Sequence, residues 1–335
     1  MRSADSGKGA SAPEREWIAI PLAVGQAHDG YRVDRFIQAR IPRLSRTRVQ
    51  GFIAKGQVRD AQGPVGRPAQ RVHAGQVVTL LRPAPPEPAV VLDYTVRHED
   101  PDLLVVDKPA GLPVHPTATY HLHTLTAVMR QRLGVGHGWD MAHRLDRETS
   151  GVMVFGRRGG SASVLKRSFA RREIVKEYLA LVHGELTTPR VIEIPLGPAL
   201  DSEIRVKMGE RSLGDGGQVA RTEIEPLSRG CFRGQPVTLV CARPKTGRQH
   251  QIRVHLALVG HGVVGDKLYG LPESWFLDVV EHGRPLAELD AHLGLGRHAL
   301  HAWRIDLPHP RHGGRVRYGA PWPPELAALI EAPAG

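Results

Sequence analysis

Four of the six residues from 83 to 88 are proline, in the run Arg82-Pro83-Ala84-Pro85-Pro86-Glu87-Pro88. Proline lacks an amide hydrogen and has a fixed φ, so such a run enters neither a helix nor a central strand. It reads as a stiff spacer, and it divides the chain. With 335 residues, two domains of roughly 150 residues each are the expectation. The division gives a polar tail (1–16), a small module (17–82), the spacer (83–89) and a larger body (90–333).

Charge separates the two parts further. Residues 31–82 carry eleven Lys and Arg against Asp34 and Asp60, a net +9, whereas the whole chain is +11. A basic module on a near-neutral body points to a polyanion-binding arm. The plain alternative is a basic surface kept for solubility. Within the module, Val33, Phe36, Ile37 and Ile41 recur at helical spacing. Ser45 is placed to cap a second helix carrying Val49, Phe52 and Ile53, and Gly56 stands where a terminating glycine belongs. A strand ending in residues 76–81 follows.

The body alternates less regularly. Leu103–Val106, Val152–Phe155, Tyr178–Val182 and Val237–Ala242 read as strands. Leu122, Leu125, Met129 and Leu133 give one helical stripe, and Ile252, His255, Leu256 and Val259 another. There is no strand–helix alternation and no repeat, so the expected class is α+β. Residues 271–296 show no period and read as an insertion of unknown shape. No apolar run reaches the ~18 residues of a membrane span. The N-terminus lacks the apolar core of a secretory signal, so the expected compartment is the cytoplasm. Two cysteines, Cys231 and Cys241, exclude a disulfide scaffold and a Cys-rich zinc fold.

Three segments can carry chemistry. In Ala142-His143-Arg144-Leu145-Asp146-Arg147-Glu148-Thr149-Ser150-Gly151, an aspartate between two arginines should stay ionised and could act as a nucleophile. The plain alternative is a surface ion pair in an ordinary loop. The second segment, residues 243–255, holds Arg243, Lys245, Arg248 and Arg253 and no acid, with a Thr246-Gly247 turn leading into a helix. Helix amides and flanking arginines make a phosphate site. Arg253 falls at the inward edge of that helix, where a buried guanidinium needs an acid; Asp146 is the candidate. A solvated basic face is the alternative. In the third segment, Tyr178 shares a strand face with Ala180 and Val182, as a base-stacking ring or a packed core tyrosine. Eighteen histidines invite a metal, but none sits in an established ligand pattern.

Taken together, these segments resemble the RluA family of pseudouridine synthases. His143-Arg144-Leu145-Asp146 with Thr149-Ser150-Gly151 resembles its catalytic motif, and Lys176-Glu177-Tyr178 its tyrosine motif. Residues 244–255 with Gly265-Asp266 and Tyr269-Gly270 resemble its arginine motif, and Asp107–Leu112 its opening strand. Residues 31–82 are similar to the small RNA-binding domain of ribosomal small-subunit protein four. The resemblance implies a mixed, largely antiparallel sheet with flanking helices, plus a small N-terminal α/β domain. It implies Asp146 as nucleophile, Tyr178 at the target base and as acceptor of the carbon-5 proton, and Arg253 as the partner of Asp146. Arg144 would enter the RNA stack. His143, Thr149, Lys176, Lys245, Arg248, Gln249, His250 and Ile252 would contact substrate; at Gln249 the family usually has Thr. Arg35, Arg43, Arg46, Arg48 and Lys55 would meet RNA from the N-terminal module.

The implied activity exchanges an N-glycosidic bond for a carbon–carbon bond, with no redox change and no hydrolysis. No metal and no cofactor is therefore expected. The expected partner is RNA, with ribosomal RNA of the large subunit first and transfer RNA second, and the expected state is a monomer. Two rivals remain at this stage. One is a non-catalytic RNA-binding or ribosome-assembly factor, which would not need Asp146, Tyr178 and Arg253 together. The other is a metal-dependent nuclease, which would need a carboxylate cluster.

Overall fold

The computed structural model describes residues 17–42, 44–83, 87–117 and 119–331. The tail 1–16, Arg43 and residues 84–86 of the spacer lie outside the described residues. The chain forms two compact units, the smaller made of the N-terminal residues up to Pro88 together with residues 119–122.

The small unit starts with β1 (Trp17–Ala23), then α1 (Val33–Arg40), α2 (Arg46–Ala54), β2 (Val58–Asp60), β3 (Gly63–Pro64) and β4 (Val77–Pro83). The strands form an antiparallel sheet in the order β1-β4-β2-β3. Phe36 and Ile37 of α1, Val49 and Ile53 of α2 and Leu80 of β4 meet in one core. The Ser45 hydroxyl accepts from the Arg48 amide at 3.3 Å and so caps α2. Gly56 ends it at φ +66°, a backbone that suits a residue without Cβ. Asp34 is fully buried, yet its carboxylate accepts from Arg32, Arg46 and Gln50 at 3.0–3.1 Å. Burial opposes its charge, but those donors prevail and hold the carboxyl well below the usual range. Arg35, Arg46, Arg48 and Lys55 are all exposed. Glu87 accepts from the amides of His121 and Leu122, both at 2.8 Å, which brings residues 119–122 into this unit.

The larger unit is built on a ten-stranded sheet. Its first part contains β5 (Thr95–Glu99), β6 (Leu103–Lys108), α3 (Leu125–Leu133), β7 (Trp139–Met141), β8 (Ser150–Arg157), α4 (Ser161–Ala170) and β9 (Val175–His183). Next come β10 (Arg190–Ile192), the short hairpin β11 (Leu196–Pro198) and β12 (Met208–Glu210), and the long hairpin β13 (Thr222–Phe232) and β14 (Gln235–Pro244). The chain finishes with α5 (Gln251–Leu258), α6 (Glu273–Val280), α7 (Leu286–Leu293), β15 (Leu300–Pro308), β16 (Arg315–Gly319) and α8 (Pro324–Ala327). The strand order is β10-β13-β14-β9-β15-β8-β6-β5, with β16 on β15 and β7 on β8. The pairings are antiparallel except β15 with β8. This is the expected α+β class, a mixed and largely antiparallel sheet.

Both faces of the sheet centre are covered, which explains the unbroken apolar runs in β6 and β8. Leu104, Val106, Met153 and Phe155 join Leu125 and Met129 of α3 in one cluster. Leu103, Val105, Val152 and Val154 join Leu165 of α4 in the other. Where β15 and β8 meet, Gly151 lies at φ +111°, and a Cβ there would stand 2.2 Å from the Ala302 carbonyl oxygen. Only glycine permits that approach, and it brings the residues just before β8 to the middle of the sheet.

Several local expectations need correction. β4 runs through Pro83, one residue into the stretch read as spacer. At the last position of a strand the missing amide costs little. The α3 stripe is Leu125, Val128 and Met129; Leu122 precedes the helix and Leu133 is exposed. Residues 271–296 contain α6 and α7.

Candidate active site

The loop 142–149 enters β8, while Lys176 and Tyr178 stand on the neighbouring part of the sheet, on β9. The turn 244–250 leaves β14 and enters α5, which carries Arg253 in its first turn. These three segments line one cavity of about 660 Å³. All twelve residues expected at the site in the body border it: His143, Arg144, Asp146, Thr149, Lys176, Tyr178, Lys245, Arg248, Gln249, His250, Ile252 and Arg253.

An ion-pair chain forms the cavity's centre. Arg253, 5% exposed, donates from Nη1 to Asp146 Oδ2 at 3.0 Å. Its Nε and Nη2 donate to the two oxygens of Asp266 at 2.6 and 2.8 Å. Burial opposes the Arg253 charge, but the two carboxylates prevail and its pKa rises further. Asp266 is fully buried and also accepts from the amides of Leu268 and Tyr269. Burial would raise its pKa, yet Arg253 and those amides hold it below the usual carboxylate range. The Asp146 side chain keeps 25% of its surface exposed to the cavity. The carboxylate is thus oriented through Oδ2 and stays accessible from the cavity.

The remaining expected contacts differ in what they can offer. Arg144 is exposed at the cavity. Burial lowers the Lys176 ammonium to about 8, and its Nζ donates to the Thr246 carbonyl at 3.2 Å. Burial, with the Asp146 charge, raises the Tyr178 hydroxyl, so the phenol stays protonated at neutral pH. The His143 ring lies 4.8 Å from the Phe169 ring and accepts from the Val154 amide. Burial first and the Lys176 charge second push it down to about 3, so it is a neutral support for the loop. Thr149 is buried with its hydroxyl 2.8 Å from His298 Nε2. Ile252 supplies an apolar, nearly buried wall. Gln249 is exposed and donates to the Val206 carbonyl at 3.4 Å.

The expected phosphate site in residues 243–255 is altered. The segment itself has no acid, but sheet pairing brings acids from neighbouring strands. Arg243 bonds to Glu177 and Glu225 at 2.8 and 2.6 Å, and Lys245 to Glu223 at 2.8 Å. The Arg248 amide donates to the buried Gln251 side chain at 3.0 Å, so it does not point at a ligand. Arg248 itself reaches the Val219 carbonyl and has no carboxylate partner among the described residues. Arg147, expected beside Asp146, instead bonds to Glu148 at 2.9 Å. Asp146 takes its positive partner from α5, not from its flanking arginines.

A layer beneath the loop was not foreseen. Lys108, fully buried, donates to the carbonyls of Pro109, Leu112 and Arg147 at 2.8–3.1 Å. Burial brings its pKa down to about 7, and three carbonyls compensate it. Lys267 pairs with Glu148 at 3.0 Å and with Asp290 of α7 at 3.1 Å. Arg297 and His301 both reach the Ser150 hydroxyl at 2.8 Å. Each residue from 147 to 150 is thus fastened from below, which leaves Asp146 at the surface of a rigid turn. Among the described residues, no three His, Cys, Asp or Glu side chains are grouped to hold a metal ion. No helix is long and apolar enough to cross a membrane among the described residues.

Residues 102–258 match the RNA pseudouridylate synthase family. The chain is 30% identical to the ribosomal large subunit pseudouridine synthase D of Nitrosomonas europaea, over 98% of this chain and 92% of that one. It is 34% identical to the enzyme of the same name from Xanthomonas campestris pv. campestris, over 90% and 89%. Among solved structures, the human RNA pseudouridylate synthase domain containing 1 is similar, with a TM-score of 0.57 and 27% identity over 73% of this chain and 91% of that one. The resemblance carried by the motifs around Asp146, Tyr178 and Arg253 extends over nearly the whole sequence, and the chain belongs to the RNA pseudouridylate synthase family.

Proposed function

We propose that this protein isomerises uridine to pseudouridine in large-subunit ribosomal RNA, with Asp146 as the reacting carboxylate. The observation that carries the reading is the Arg253–Asp146 ion pair, 3.0 Å long, in a cavity also lined by Tyr178. A uridine must leave its stack to reach that cavity, at a cost of a few kcal/mol. Arg144, exposed at the cavity, takes the vacated place in the stack. Asp146 then acts at the ribose as the glycosidic bond breaks. The detached uracil rotates between Ile252 and the Tyr178 ring. As C1′ bonds to carbon 5, the Tyr178 phenol takes the carbon-5 proton while releasing its own hydroxyl proton to solvent, and the freed N1 of the uracil ends protonated. Lys176, Lys245, Arg248 and Gln249 contact the flanking nucleotides, while His143 and Thr149 support the loop. The chemistry consumes no cofactor and no metal.

Ribosomal RNA is favoured by the relatives' names and by a basic N-terminal unit; we also infer that the enzyme acts in the cytoplasm, as a monomer. Mapping pseudouridine in total RNA from cells with and without the gene tests the substrate. The expected result is loss of one or more sites in large-subunit ribosomal RNA; loss confined to transfer RNA would transfer the assignment there.

The N-terminal unit, similar to the domain of ribosomal small-subunit protein four, serves as the RNA-binding arm in this reading. Arg35, Arg48 and Lys55 are exposed and have no carboxylate partner among the described residues. Replacing these three by Gln in the full chain should lower the slope of log affinity against log salt by roughly 2 to 2.7, at 0.7–0.9 per phosphate contact. Filter binding to an unmodified large-subunit transcript across a salt series measures this. An unchanged slope would remove the arm from RNA binding.

A further inference from the structure

We propose that His250 is a positioning residue for Asp146: a neutral imidazole that turns its Nε2 hydrogen toward the carboxylate, its tautomer set by the Tyr269 hydroxyl. The proposal rests on the reading of Asp146 as the reacting group and deepens it.

Hydrogen-bond accounting around Tyr269 carries the argument. The Met208 amide donates to the Tyr269 oxygen at 3.0 Å. An amide only donates, so the phenol keeps its own hydrogen to give. Among the described residues, the other polar atom within reach of that oxygen is His250 Nδ1, at 2.9 Å. Nδ1 therefore accepts, and a neutral ring then carries its hydrogen on Nε2. Nε2 stands 3.9 Å from Asp146 Oδ2. The opposite tautomer would leave the phenol hydrogen without an acceptor and turn a lone pair on the carboxylate. Both consequences are unfavourable in a site this enclosed. Burial pushes the imidazole down to about 4, which keeps it neutral.

The backbone marks the same residue. His250 lies at φ +55°, a left-handed conformation unfavourable for a residue with a Cβ. The turn that carries Tyr269 also serves Arg253. The Leu268 and Tyr269 amides orient Asp266, which grips Arg253 with two bonds, and the Arg253 guanidinium stands 5.1 Å from the centre of the Tyr269 ring. Residues 266–269 thus organise both neighbours of Asp146 Oδ2. The 3.9 Å separation exceeds a hydrogen bond, so the neutral ring acts on the carboxylate as an oriented dipole.

Three single variants of the full chain test this: His250→Asn, His250→Gln and Tyr269→Phe. The probe is an unmodified large-subunit ribosomal RNA transcript made with 5-tritiated uridine, from which each turnover releases tritium. Glutamine places an amide nitrogen near the position of Nε2, whereas asparagine places one near Nδ1. For His250→Asn, kcat should fall roughly 30- to 100-fold with KM within about threefold, because the lost contact acts on the reacting group. His250→Gln should recover to within about fivefold of wild type, and Tyr269→Phe should lose about tenfold in kcat. Thermal melting separates these effects from unfolding. Equal losses for Asn and Gln, a loss expressed in KM, or an unchanged kcat would each overturn the role of His250. An active Asp146→Asn chain would instead overturn the reading beneath it.

Discussion

Asp146→Asn should fold, bind RNA and form pseudouridine more than about 1,000-fold more slowly than the wild type, the scale seen when a reacting group is removed. The fold should survive for a reason visible in the ion-pair chain. Arg253 donates two of its three bonds to Asp266, so an amide at 146 does not leave the buried guanidinium without a counter-charge. Asparagine still offers an oxygen to Nη1, and its shape is nearly that of aspartate. What disappears is the carboxylate that faces the cavity. Single-turnover assays on the transcript, with affinity from filter binding, separate the two effects. Turnover within tenfold of wild type would remove Asp146 from the mechanism.

Much of this arrangement could be read before the structure, and the parts that could not have a common cause. Helix α2 was legible because its signals are local: Ser45 caps it and Gly56 ends it. The central strands were legible because both faces are buried and the apolar runs are unbroken. Strand β1 is harder to read from sequence, although Ile18, Ile20 and Leu22 alternate with more exposed neighbours. Pro21 within the run weakens the strand signal, and the polar tail leaves the strand without a local start signal. The site's second layer was hidden more deeply. Lys108, Lys267 and Arg297 look like surface cations by residue type, and only tertiary contacts make them buried clamps. Asp266 lies in the Gly265-Asp266 motif, but no spacing rule links it to Arg253, 13 residues earlier. The acids that neutralise Arg243 and Lys245 lie across the sheet, on β9 and β13, and register alone brings them there.

The same ion-pair chain makes Arg253 a different kind of position from Asp146. Arg253→Met should abolish activity and also cost about 3–5 kcal/mol of stability, because it leaves a buried carboxylate without its partner. The orphan is Asp266, with no exposed surface, whereas Asp146 can reach solvent. The cost is specific enough to be reversed. In Arg253→Met/Asp266→Asn the buried charge is gone, and the Asn oxygen can still accept the Leu268 and Tyr269 amides that Asp266 Oδ1 holds. Most of the lost stability should return in the double variant, as when both members of a buried pair are replaced together. Activity should not return, since Asp146 still lacks the guanidinium that orients it. Urea unfolding of the wild type, both single variants and the double variant measures the coupling. If the double variant is as unstable as Arg253→Met, the penalty comes from lost packing of the guanidinium, and the buried carboxylate is not its cause.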